Sequence, residues 1–140
     1  MHARQSIREA AVTALTGLTT TGANVHDTRI FPLSESGLPC VAVYASEETT
    51  DRGALGGRLA RELDLVVRGY ARGTSGVEDT LDTIAEEVET ALASIAGAKD
   101  VALRETRMEY DGEGDMPIAS VEMVFSVLYH TAVGAPGTAI

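Results

Sequence analysis

The chain has 140 residues, 44% of them apolar, with four Tyr, two Phe and no Trp, and a formal net charge of −10. That length suits one ordinary domain, whose core must come from Val, Leu, Ile, Ala and Met. The acidic balance and the single lysine, Lys99, work against a basic nucleic-acid groove or a polybasic membrane patch. Cys40 is the only cysteine, so no intrachain disulfide is needed. The opening MHARQSIREAA carries charges where a signal peptide needs an apolar core, and no apolar run approaches the ~20 residues of a membrane span. The sequence reads as soluble and cytoplasmic, with no membrane partner.

Residues 5–18 have the spacing of a helix, with Ile7, Ala11, Ala14, Leu15 and Leu18 on one face. Ser6 or Gln5 lies near its start and Gly17 near its end, a loose fit to capping chemistry. A turn follows, with a short strand expected near Val25–Phe31. Pro39–Ala45 is a short, nearly continuous apolar run, as expected of a strand buried on both faces. SEETTDRGALGG then breaks periodicity and reads as a long exposed loop. Residues 58–71 alternate, with Leu59, Leu63, Leu65 and Val67 on one face and Glu62, Asp64 and Arg68 on the other.

The clearest element is a helix over 77–95, with apolar residues at 77, 81, 84, 88, 91, 92 and 95. Thr74 or Ser75 is the expected cap, Glu78 and Asp79 suit the positive N-terminal end, and Gly97 the close. Residues 101–110 form the next strand, DGEGD a turn, and residues 118–131 a last strand in which Val121, Met123, Phe125, Val127 and Tyr129 alternate with polar residues. One domain is expected over 1–131, followed by a flexible tail over 132–140. The order implies an α+β fold: a mostly antiparallel sheet of about four strands with two main helices packed on it.

The chemistry-bearing residues form no constellation. Cys40 lies inside an apolar strand, the setting of an inert thiol. His2, His26 and His130 fall in different elements, none at metal-ligand spacing from another. Asp111, Glu113, Asp115 and Glu122 follow the acidic spacing of an EF-hand loop, but Met116 occupies the sixth position, where the turn needs Gly, and Pro117 follows. An exposed hairpin turn is the simpler reading. The acidic residues Glu78, Asp79, Asp82, Glu86, Glu87 and Glu89 on the second helix read as a solvated face or as a stripe turned to a partner or channel. Gly53, Gly56 and Gly57 match no phosphate loop. No catalytic residue, metal or cofactor is expected.

Several stretches carry a resemblance to a known family. HARQSIREAAVTALTGL resembles a first helix, and RIFPLSESGLPCVAVYASEE a linker leading into an apolar strand. RELDLVVRGYARG is similar to the strand after a variable loop, VEDTLDTIAEEVETAL to an acidic helix, and RMEYDGEGDMPIASVEMVFSVLYHT to a closing hairpin. Together, over roughly residues 1–131, they resemble the tail terminator proteins of long-tailed phages, the lambda-type minor tail protein U group, with relatives in prophages and gene transfer agents. The resemblance implies a non-enzymatic virion protein assembled in the host cytoplasm. Its copies form a ring, usually a hexamer, on the tail tube. The ring ends polymerisation of the major tail protein, joins the head–tail connector and lets DNA pass through its lumen without specific binding.

A closed ring needs two different patches per subunit. These are expected in the 46–58 loop, with Glu47 and Glu48, and at the edges of the long strands, with Arg58, Arg61, Arg68 and Arg72 facing acidic groups of a neighbour. The competing readings are a head–tail connector or neck subunit of related fold, and a small metal-dependent or hydrolytic enzyme using the DGEGD turn.

Overall fold

The computed structural model describes residues 1–29, 37–52, 56–73, 75–111 and 117–140. In chain order these form α1 (Ala3–Leu15), β1 (Val25–His26), β2 (Cys40–Asp51), β3 (Arg58–Arg72), α2 (Val77–Ala91), β4 (Asp100–Asp111), β5 (Ile118–Ala132) and β6 (Ala135–Ala139). The α+β expectation holds, but the sheet has six strands in the order β1-β2-β3-β5-β4, with β6 on β5. It is mixed rather than antiparallel throughout, because β1 runs parallel to β2.

β3 and β5 are the centre, paired along 15 residues each, from Arg58↔Ala132 to Arg72↔Ile118. Their alternation sends Leu63, Leu65, Val67, Ala119, Val121, Met123, Phe125, Val127 and Tyr129 to one face, where all are buried. Both helices pack on that face. α1 contributes Ile7, Ala11 and Leu15, and α2 contributes Leu81, Ile84 and Val88, to the same core. The opposite, open face is mainly polar, as expected of an antiparallel sheet with helices on one side, with Cys40, Ala42, Val66 and Val124 buried within it.

Several boundaries differ from the sequence reading. α1 starts two residues earlier, because the His2 Nδ1 accepts from the Arg4 backbone N–H at 3.0 Å and caps it; Ser6 and Gln5 are inside the helix. α2 is preceded by Gly76 in the left-handed conformation, with no side-chain cap. Thr74 lies outside the described residues, and Ser75 does not cap. α2 stops at Ala91, short of Gly97, and Leu92 and Ile95 fill the core from the irregular segment that follows.

The expected exposed loop after Ala45 is the second half of β2, which pairs with β3 to Asp51↔Ala60. Its charged composition hid it, because an edge strand needs few apolar residues. Residues 53–55 lie outside the described residues, as do Ile30 and Phe31 of the strand expected after Val25. The expected flexible tail contains β6, which pairs Thr131↔Ala139 and Ala132↔Ala135 and extends the edge of β5 beyond the end of β4.

Two β-bulges set which side chains face the helices. In β2 the register shifts between Ala45, opposite Leu65, and Glu47, opposite Asp64. In β4 it shifts between Leu103, opposite Phe125, and Glu105, opposite Val124. Because Leu65 and Phe125 are partners, the two bulges flank one row of the sheet. Each extra residue reverses the alternation beyond it. Glu48 is thereby turned to the helix side, and Leu103, Met108 and Tyr110 come to share that side.

Gly69 lies under α2. A Cβ there would stand 2.7 Å from Ile84 Cγ2 and 3.2 Å from Val121 Cγ1. Gly69→Ala should destabilise by about 1–3 kcal/mol through overpacking, despite the entropy lost from the unfolded chain. Denaturant titration should show the penalty shrinking in an Ile84→Ala background.

Candidate functional site

Among the described residues, a cluster of buried charge sits where β2, β3, β5 and the start of α1 meet. Glu48 Oε2 accepts from Arg4 at 2.6 Å and from Arg61 at 3.3 Å, and Glu48 Oε1 accepts from the Tyr129 hydroxyl. Arg61 Nε also donates to Thr131 Oγ1 at 3.0 Å. The Glu48 and Arg61 side chains are 9% and 12% exposed, and Tyr129 is fully buried. Burial, then the hydrogen bond to Glu48 and its charge, push the Tyr129 hydroxyl upward, so it remains a donor. Removing charge from water is costly, and only full pairing offsets it; here one carboxylate takes three donors. The arrangement joins α1 to three strands and has the form of a structural fastening. Tyr129, hydrogen-bonded to Glu48, is fully buried and its hydroxyl is pushed upward, so the pair presents no activated nucleophile.

The open face carries a second, exposed set of charges. Arg68 reaches Glu109 at 3.2 Å and Glu122 at 3.6 Å, and its guanidinium lies over Tyr70, 5.4 Å from the ring centre. Arg104, the extra residue of the β4 bulge, spans β5 to make a bidentate pair with Asp64 at 2.8 and 3.0 Å. Ser126 donates to Glu62 at 2.7 Å between them. Such exposed cross-strand pairs are screened by solvent. They lock strand register more than they add stability.

Of the six charges expected at contacts between copies, Glu48 and Arg61 are inward and paired with each other, and Arg68 is paired on the open face. Glu47, Arg58 and Arg72 are exposed. Sequence reasoning missed the Tyr129–Glu48–Arg61 group, since Glu48 looks solvent-facing until the bulge is known. Cys40 is buried on the open side of β2, and burial pushes its thiol up to about 11. That is the opposite of what activates a nucleophile. His130 lies near the end of β5, opposite Ala60. Among the described residues, no group of three or more His, Cys, Asp or Glu could hold a metal. Residues 112–116 of the acidic turn lie outside the described residues, and Glu122 faces Arg68.

Two measurements test this geometry. Glu48→Ala leaves Arg61 buried without its counter-ion and should cost roughly 3 kcal/mol. Tyr129→Phe should cost about 1.5–3 kcal/mol, and the double variant less than the sum, read by urea denaturation. Burial, then the Arg4 and Arg61 guanidiniums, hold the His2 imidazole below its ordinary range. The unfolded chain therefore binds that proton more readily than the folded one. Stability should be full above about pH 6.5 and fall as pH drops through the lowered folded value. His2→Asn, which keeps a cap acceptor, should flatten that slope in melts taken across this range.

The profile of the family described as phage minor tail protein U matches residues 2–129. A chain from a solved structure titled "Virion of native gene transfer agent (GTA) particle" shares the fold: it is 16% identical, with a TM-score of 0.50, over 91% of this chain and 92% of that one. No curated protein sequence matches.

Proposed function

The chain belongs to the phage minor tail protein U family, and from that premise we propose that it is a tail terminator subunit. It is a structural tail protein and a virion component. In the proposed role its copies close into a ring, a hexamer as the family resemblance implies, on the end of the tail tube. The ring stops addition of the major tail protein and presents the surface to which the head connector attaches. DNA passes through the lumen, and a net charge of −10 keeps the phosphate backbone from adhering. Assembly takes place in the host cytoplasm.

The observation that carries this reading is the extent of the family match. It runs through both helices and the first five strands, to Tyr129, leaving only the end of β5 and β6 outside. The architecture suits the role. The buried charges are neutralised inside the chain, whereas Arg58, at the start of β3, and Glu47, four residues before the end of β2, are exposed. These two, with Arg72 at the opposite end of β3, remain the proposed charged contacts between copies.

The test is assembly without the protein. Tails produced in a host lacking this chain should be irregular in length by electron microscopy and should fail to join heads. Supplying the purified chain before tube growth should restore both. Tails of uniform length that join heads normally in its absence would remove the terminator assignment.

A further inference from the structure

β4 is a long edge strand. One side pairs with β5 from Asp100 to Asp111, and no described strand pairs with the other. A free edge presents a row of backbone N–H and C=O groups that another strand can complete, and proteins usually blunt such edges by shortness, proline, charged side chains or a bulge. β4 has charged side chains and one bulge, but it is 12 residues long and has no proline. On its helix side it exposes Leu103, Met108 and Tyr110 at 37%, 41% and 55%. α2 packs on β3 and β5 and leaves this stripe uncovered.

The other edge of the sheet belongs to β2. Among the described residues, β1 pairs with it only at Val41 and Ala42, so no described strand pairs with that side from Val43 to Asp51. Strand directions reverse at each step from β2 to β3, β5 and β4, so β4 runs opposite to β2. A second copy brought alongside by rotation about an axis roughly parallel to the strands keeps its own β2 direction. Its β2 then meets β4 antiparallel, the slightly stronger pairing. The open face of β4 carries Arg104 and Arg107 together with Glu105 and Glu109, and each arginine already has a carboxylate partner, Asp64 for Arg104 and Glu105 for Arg107, which is 59% exposed. The same face of β2 beyond its bulge presents Glu47, Thr49 and Asp51, all exposed.

We infer that the free edge of β4 pairs antiparallel with the Val43–Asp51 edge of β2 in a second copy of this chain, burying Leu103, Met108 and Tyr110 in the contact. This rests on the ring reading and names its surface. The contact is heterologous: each pairing leaves one β2 edge and one β4 edge unfilled, so it propagates and closes when the rotation fits.

Cysteine cross-linking tests the pairing without assuming its register. Chains with Ala102→Cys or Arg107→Cys are mixed with chains carrying Glu47→Cys, Thr49→Cys or Asp51→Cys. They are oxidised where sedimentation detects multi-copy species, or on isolated tails if free chains sediment singly. Disulfide-linked pairs are expected from the mixtures and none from either set alone. Met108→Glu combined with Tyr110→Glu should keep the wild-type melting temperature, both side chains being exposed, and weaken self-association by at least about tenfold. Multi-copy species without any cross-link, or a folded double variant that associates like wild type, would overturn this surface and leave the ring standing. Chains that stay single both in solution and on tails would overturn the ring reading as well.

Discussion

The row formed by Leu65 and Phe125 is the hinge of the side-chain arrangement, because a β-bulge lies against it on each flank of the sheet. A strand has a period of two, so one extra residue exchanges its faces from that point on. On one side of the row the edge strands follow the alternation of their first halves; on the other they are inverted. Both consequences bear on assembly. The bulge in β2 turns Glu48 into the core boundary, and the bulge in β4 aligns Leu103 with Met108 and Tyr110 on one uncovered face.

The inward turn of Glu48 shapes the chain's N-terminal end. Its carboxylate accepts from Arg4, Arg61 and Tyr129, and the neighbouring His2 caps α1. Such a group is costly to bury and strongly destabilising to half-remove, so it fixes the angle at which α1 leaves the sheet. β6 adds to the same end. A Cβ at Gly137 would stand 2.8 Å from the Met1 carbonyl oxygen, so the two ends of the chain pack closely only because that position lacks a side chain. These contacts hold α1 and β6 at one end of the sheet, and groups already fixed before association lose less conformational freedom on binding.

Charge is distributed by element rather than spread evenly. α2 carries six carboxylates and no base, whereas the open face of the sheet neutralises much of its charge through Arg68 and Arg104. Like charges three and four residues apart weaken an isolated helix slightly. The burial of Leu81, Ile84 and Val88 outweighs this, since most helical stability in proteins comes from the packed face. An acidic outer helix and an internally paired sheet leave the uncovered strand edges as the surfaces with unmet backbone bonding.

Periodicity alone determined the central elements. The alternation through Leu63, Leu65 and Val67, and through Val121 to Tyr129, and the 3.6-residue spacing of Leu81, Ile84 and Val88, are written locally, because a single strand or helix buries one face whatever lies elsewhere. The α+β class followed from their order, and the resemblance to minor tail protein U from particular stretches such as CVAVY and VEDTLDTIAEEVETAL in that order. The tertiary structure decided what local pattern cannot encode. The charged half of β2 and the glycine- and proline-bearing β6 are strands only because a neighbour's backbone satisfies them. The parallel pairing of β1 joins segments distant in sequence. The positions of Glu48, Met108 and Tyr110 depend on bulges that appear only when register is measured against a partner strand. Pairing across strands is a relation between segments, and no single segment records it.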